Sequence, residues 1–194
     1  IFGGTGFLGR SLIDNLINDN NNHIFVITRN KHKAKLLFSK IKSNNFHIEE
    51  YDVNNLQNLL QLEVECDYAI NFASDSTNGP RIEKLIWMSQ MIQSSNNILV
   101  WANKNVKVKY LYASSGAVYK DKDKSETVKL DLKFNDLVNT YANTKLLCEE
   151  LCKANSEING LDYVITRIFA VAGWHIPTTN HFAFGNFLNS LLNK

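Results

Sequence analysis

The chain has 194 residues, 44% of them hydrophobic and 21% charged, with a formal net charge of +2. This suits one globular domain with its own core, offers no basic surface for nucleic acid or an acidic membrane, and contains no apolar stretch long enough to span a bilayer. The three cysteines, Cys66, Cys148 and Cys152, lack zinc-finger spacing and read as reduced, packed thiols, and the five histidines form no ligand cluster, so no metal is expected.

The chain opens at Ile1-Phe2, directly before Gly3-Gly4-Thr5-Gly6-Phe7-Leu8-Gly9. With no starting methionine and no signal or transit sequence visible, it reads as a fragment cut inside its first strand. Gly3 permits a tight turn, Gly6 lets backbone approach a ligand, and Gly9 lets the following helix pack closely on the strand. That helix, Leu8 to Ile17, puts Leu8, Leu12, Ile13, Leu16 and Ile17 on one face. Backbone N–H groups at such a helix start, here Phe7 and Leu8, meet phosphate oxygens. The turn is therefore a candidate cradle for a dinucleotide pyrophosphate.

Downstream, strand-like and helix-like segments alternate. His23 to Thr28 reads as a strand and Lys31 to Lys42 as a basic helix. Phe46 to Tyr51 and Tyr68 to Ala73 read as strands. Arg81 to Lys104 is helical, with an apolar side that includes Ile82, Leu85 and Met88. Val108 to Ala113 is a strand, Val138 to Asn155 a helix, Tyr163 to Phe169 a strand, and Gly185 to Leu192 the start of a helix. This predicts a Rossmann-like, doubly wound parallel α/β sheet with helices on both faces and ligands at the carboxyl ends of the strands. The asparagine-rich run Asn18 to Asn22 is a solvated turn. Trp87, Met91, Trp101, Leu146, Leu147 and Leu151 exceed what one sheet-facing stripe needs, so a homodimer through helices 81–104 and 138–155 is expected.

Tyr141-Ala142-Asn143-Thr144-Lys145 places a tyrosine and a lysine four residues apart, on one side of a helix. A free phenol titrates near pH ~10 and is a poor base at neutral pH. A nearby ammonium and an oxidised nicotinamide are expected to lower that value, letting Tyr141 exchange a proton with a hydroxyl or carbonyl oxygen. Ser115, at a strand end, would hold the same oxygen. Catalytic candidates are therefore Ser115, Tyr141 and Lys145.

In this order, the glycine turn, Tyr51-Asp52-Val53, Asn71-Phe72-Ala73, Tyr112-Ala113-Ser114-Ser115-Gly116-Ala117-Val118-Tyr119, Tyr141 to Lys145 and Arg167-Ile168-Phe169 resemble the extended short-chain dehydrogenase/reductases, the branch with nucleotide-sugar epimerases, dehydratases and ketoreductases. The resemblance implies a dinucleotide-binding domain over residues 1–170 and the beginning of a substrate-binding region over 171–194, with most of the C-terminal domain lacking. It also implies a cytoplasmic enzyme. Asp52 and Val53 would border the adenine, and Phe72, Ala73 and Ser74 would line the path to the nicotinamide. Tyr141, Lys145 and Phe169 would lie against the cofactor. The segment His181 to Phe187 resembles polysaccharide-pathway members, in which Asn186 would contact the nucleotide diphosphate; a helix N-cap is the competing role for Asn186.

Departures from the family pattern narrow the chemistry. Dehydratases of this branch carry an acidic pair where this chain has Gly116 and Ala117, which argues against elimination of water. Many epimerases have an asparagine where this chain has Ala170, and the glycine that often follows Val-Tyr is Lys120. No acidic residue ends the second strand. Arg29 stands there and could grip a 2′-phosphate through two hydrogen bonds, which favours NADP; NAD stays open because such arginines also stack on adenine. Lys33 and Lys35 read as a solvated face.

The expected function is an NAD(P)-dependent nucleotide-sugar epimerase or ketoreductase. The alternatives are a non-catalytic dinucleotide-binding sensor or scaffold, which typically loses the tyrosine or lysine, and a reductase of a non-sugar carbonyl compound, against which only the Asn186 segment speaks.

Overall fold

The protein is described here by a computed structural model covering residues 1–74, 84–119, 137–178 and 183–192. Arg81 and Ile82 of the expected long helix, Lys120, His181 and Phe182 lie outside the described residues.

Phe2 occupies the centre of the sheet. Its backbone bridges Ile27 on one side and Asn71 on the other, both in parallel. Phe2 N–H donates to the Ile70 carbonyl at 2.9 Å, and Phe72 N–H donates to the Phe2 carbonyl at 2.9 Å. On one flank β1 (Ile24–Thr28) pairs with β2 (Phe46–Glu50); on the other β3 (Cys66–Asn71) pairs with β4 (Val106–Ser115), and β4 with β5 (Tyr163–Ile168). All pairs are parallel, giving the lateral order β2-β1-Phe2-β3-β4-β5. Helices α1 (Phe7–Leu16), α2 (Lys31–Leu37), α3 (Leu56–Leu59), α4 (Lys84–Asn105), α5 (Leu137–Asn159) and α6 (Ala183–Leu192) complete the chain.

β1 explains why both faces are covered. Ile24 and Val26 join Ile13 of α1 and Ala34 of α2 in one core. Ile27 joins the other, with Phe2, Leu59, Ile98, Trp101, Tyr110, Tyr112, Cys148 and Cys152. An apolar strand with both faces buried is the mark of a parallel sheet under two helical layers. Trp101 sits edge-on to Phe2, with ring centroids 5.2 Å apart, and its indole N–H donates to the Leu62 carbonyl at 2.9 Å. Cys148 and Cys152 are free and buried.

The boundaries differ from the sequence reading in physically simple ways. The basic helix expected to reach Lys42 stops at Leu37, because Phe38 leaves helical geometry and buries its ring edge-on against Phe46. β4 extends past Ala113 to end on Ser115. α5 runs to Asn159 and is halted at Gly160, whose φ of 72° suits a glycine. Four side chains that motivated a dimer, Trp87, Met91, Trp101 and Leu146, are buried within the chain itself. Among the described residues no helix is long and apolar enough to cross a membrane.

Gly9 is where α1 crosses the turn most tightly: a Cβ there would lie 2.5 Å from both the Gly3 carbonyl oxygen and Gly4 Cα. Both are backbone atoms that cannot swing aside. Gly9→Ala is expected to destabilise the protein by about 1–3 kcal/mol, even against alanine's better helix propensity. Urea unfolding of the full-length protein checks this, and an unchanged or raised midpoint counts against the packing argument.

Candidate active site

The site is built where β4 ends and α5 crosses it. Successive residues of β4 are engaged by one face of the helix. Lys145 donates its ammonium to the Ala113 carbonyl at 2.8 Å, the Ser114 hydroxyl donates to the Glu149 carboxylate, and the Ser115 hydroxyl is hydrogen-bonded to the Tyr141 phenol. Tyr141, Lys145 and Glu149 recur every four residues, which is why one helix face reaches all three. Ser115 Oγ also accepts the Ala117 N–H at 3.2 Å, capping a short 3₁₀ turn, Gly116–Val118, that ends the strand sharply.

Lys145 is only 3% exposed. Its Nζ lies 5.0 Å from the Tyr112 ring centroid and 5.9 Å from that of Tyr141. Burial lowers the Lys145 ammonium to about 8, with Cys148 and Glu149 acting in the opposite direction. The Tyr141 phenol is raised above its ordinary value, because burial outweighs the Ser115 hydrogen bond; the lowering expected from the sequence concerns the state with an oxidised nicotinamide beside it. Trp87, with its ring centroid 5.8 Å from that of Tyr141, contributes to that burial.

Behind these groups lies an ion pair, buried at its Glu149 end and partly exposed at Arg167, that the sequence reading missed. Arg167 on β5 donates to Glu149 twice, Nε to Oε1 at 3.1 Å and a terminal nitrogen to Oε2 at 2.7 Å. The Arg167 guanidinium lies 4.8 Å from the Tyr119 ring centroid, and Tyr119 stacks on Phe169 with centroids 5.8 Å apart. The signal was present as an acid four residues after Lys145 on an otherwise apolar face.

The glycine turn fits a pyrophosphate. Gly3 has φ +74°, and a Cβ on it would lie 2.6 Å from the Phe72 carbonyl carbon and 2.7 Å from Ala73 N, so the turn rests on the backbone after β3. Asn71 fixes that backbone, donating to the Tyr110 hydroxyl at 2.9 Å and accepting the Ala73 N–H at 2.9 Å. Gly6 is exposed, and no side chain caps α1, which begins at Phe7 and Leu8 with no acidic residue in its first turn. An uncapped helix start beside an open glycine is what a phosphate requires.

Arg29 is exposed just past β1, and Asp52 and Val53 follow β2, whose next residue Tyr51 donates its N–H to Thr28 at 3.0 Å. These residues therefore share one edge of the sheet. Two neighbours the sequence reading left out bear on the cofactor: Glu50 accepts the Lys31 N–H at 2.6 Å, and Glu49 pairs with the Lys31 ammonium at 3.2 Å. Acidic charge thus accompanies the basic run. Ser74 is half-buried beside Met91 and Phe169 is exposed. Asn186 lies inside α6, past its first residues, so its alternative role as an N-cap is ruled out. Residues 171–178 fold back towards α1, with His175 Nε2 2.5 Å from Asp14 Oδ2.

A doubly wound parallel sheet whose phosphate turn follows the central strand defines a dinucleotide-binding protein of the Rossmann class. The chain belongs to the NAD dependent epimerase/dehydratase family, whose model matches residues 1–194. It is 26% identical over 194 residues to UDP-glucose 4-epimerase of Mycoplasma genitalium, covering 96% of this chain and 54% of that protein. UDP-N-acetylglucosamine 4-epimerase from Methanobrevibacter ruminantium M1, solved in complex with UDP-N-acetylmuramic acid, superposes with a TM-score of 0.81 at 25% identity, over 99% of this chain and 61% of that one. UDP-glucuronic acid 4-epimerase from Bacillus cereus, in complex with NAD, shares the fold with a TM-score of 0.74 at 21% identity, over 99% of this chain and 61% of that one. The chain spans about half the length of the curated relatives it matches.

Glu149 is 2% exposed and held chiefly by Arg167. Arg167→Met would strand its charge, and a loss of about 3–5 kcal/mol is expected at neutral pH. Urea unfolding at neutral pH measures it, and a loss below about 1 kcal/mol, the level of an exposed pair, contradicts the assignment.

Proposed function

We propose that the full-length protein is an NAD(P)-dependent nucleotide-sugar epimerase, with ketoreduction of the same substrate class as the second reading. The observation that carries it is the Ser115–Tyr141 hydroxyl pair beside the buried Lys145 at the carboxyl edge of the sheet. Epimerisation is put first because the matched relatives are named as UDP-sugar and GDP-mannose epimerases. A non-catalytic scaffold is disfavoured by the retained tyrosine and lysine, and a non-sugar reductase by the same relatives.

In this reading the bound dinucleotide supplies the hydride acceptor and donor, held by Gly3, Gly6, Phe7, Leu8 and Gly9 at the phosphates and bordered by Arg29, Asp52 and Val53 at the adenosine. Phe72, Ala73, Ser74 and Phe169 flank its other end. Tyr141 takes the proton of a ring hydroxyl and returns it, Ser115 fixes that oxygen, and Lys145 holds the phenol in place and favours its anion. Asn186 is proposed to contact the diphosphate. Homodimerisation through α4 and α5 remains part of the reading, with Leu85 and Ile86 as apolar side chains left exposed on α4.

The deciding experiment incubates full-length protein with a panel of nucleotide sugars, following reduced-cofactor absorbance and product stereochemistry by NMR. An epimerised product with no net absorbance change supports the first reading, stoichiometric oxidation of the reduced cofactor supports the second, and no conversion rejects both. Tyr141→Phe should lower kcat by roughly 10²–10⁴-fold while leaving cofactor affinity nearly intact, and a variant retaining more than about a tenth of the rate contradicts the acid/base role.

Cofactor choice rests on a contest between Arg29, which attracts a 2′-phosphate, and the acidic Glu50 close by. If Arg29 prevails, the protein binds NADP more tightly than NAD, and Arg29→Asp shifts the affinity ratio about tenfold or more towards NAD. Calorimetric titration of both cofactors measures it. A ratio unmoved by the substitution means that Arg29 does not read the phosphate.

A further inference from the structure

The proposed chemistry gives Glu149 no role, yet it is the most deeply buried carboxylate among the described residues. Its surroundings are specific. One oxygen takes the Ser114 hydroxyl and Arg167 Nε, the other a terminal Arg167 nitrogen, so the carboxylate joins β4, α5 and β5 at one point. Ser114 is the neighbour of Ser115. Lys145 lies one helical turn before Glu149, and Tyr141 one turn before that. A buried ion pair is weak evidence of stabilisation, since apolar residues of similar volume often do as well. What apolar residues cannot supply is negative charge beside a buried ammonium.

Resting on the functional reading above, we propose that Glu149 is a positioning residue for the hydride-transfer site. It locks the end of β4 so that Ser115 meets Tyr141, and it keeps the Lys145 ammonium charged. The direction is consistent: burial drives Lys145 towards its neutral form, and Cys148 and then Glu149 oppose that. The ionisable groups facing Lys145 among the described residues are Tyr112 from β4 and Tyr141, Cys148 and Glu149 from α5, with Arg167 of β5 behind Glu149. α4, packed against α5 through Trp87 at Tyr141, carries no ionisable side chain between Leu85 and Asn103. Glu149 is thus the one carboxylate set to hold this charge among the described residues.

The test reads Lys145 directly, by carbon-detected NMR titration of ¹³C-lysine in the full-length protein, with Lys145→Met to assign the signal. In Glu149→Gln the Lys145 midpoint should fall by about one pH unit or more, whereas Glu149→Asp, which keeps the charge, should stay close to wild type. Should Glu149→Gln fail to fold by circular dichroism, the double variant Glu149→Gln/Arg167→Gln, which strands neither charge, carries the same comparison. In turnover, Glu149→Gln should lose roughly twofold in kcat at about pH 7 and approach about tenfold near pH 9, with KM little changed, and regain rate as the pH is lowered and Lys145 recharges. An unmoved Lys145 midpoint in the folded neutral variant, or equal losses in Gln and Asp variants with no acid recovery, overturns the proposal. A wild-type protein that converts no nucleotide sugar overturns the functional reading instead, and the Lys145 titration still decides this one.

Discussion

The arrangement at this site depends on one seam, where α5 lies across the end of β4. A helix face that repeats every four residues meets a strand that delivers a residue every few ångströms, and three consecutive strand residues each find a partner on it. The partners are not interchangeable. A carbonyl takes the lysine, one hydroxyl takes the glutamate, and the next takes the tyrosine. Sliding the helix by one residue would break all three contacts and strand an ammonium and a carboxylate in a dry interior.

The glycine turn is tied to this seam through backbone. Phe2 hydrogen-bonds to the β3 flank, the neighbouring Ile1 carbonyl accepts the Ile27 N–H of β1, and the turn that follows rests on Phe72 and Ala73. Asn71 holds that loop by a side-chain bond to Tyr110, a residue of β4 a few positions before the seam. The phosphate turn and the Ser115 end of β4 are therefore fixed to a common frame. Side chains larger than hydrogen at Gly3 or Gly9 would wedge apart surfaces already in contact.

Much of this was legible in the sequence, and the exceptions share a cause. Strand and helix alternation, and with it the parallel sheet, follows from local periodicity, while the glycine turn and the grouping of Ser115, Tyr141 and Lys145 were read from motifs in order. α3 escaped because four residues hold barely one helical turn, too few to show a period. α2 was read too long because Phe38 ends it through a tertiary contact with Phe46. The burial that raises the Tyr141 phenol could not be read either, since spacing reveals that a lysine is near but not how dry the site is. Glu149 shared the helix face of Tyr141 and Lys145 in plain view. Only the fold shows that Arg167, from a different strand, closes on it.

The packing around Gly116 bears on which reactions the cleft can support. A Cβ at 116 would fall 2.5 Å from the Phe169 ring. Phe169 stacks on Tyr119, and Tyr119 lies under the guanidinium that binds Glu149. An acidic residue at 116, the placement the dehydratase pattern would demand, therefore requires the exposed Phe169 ring to move from its present position. Within the proposed function this favours chemistry needing one exchangeable proton at Tyr141 over chemistry needing an additional acid beside Ser115.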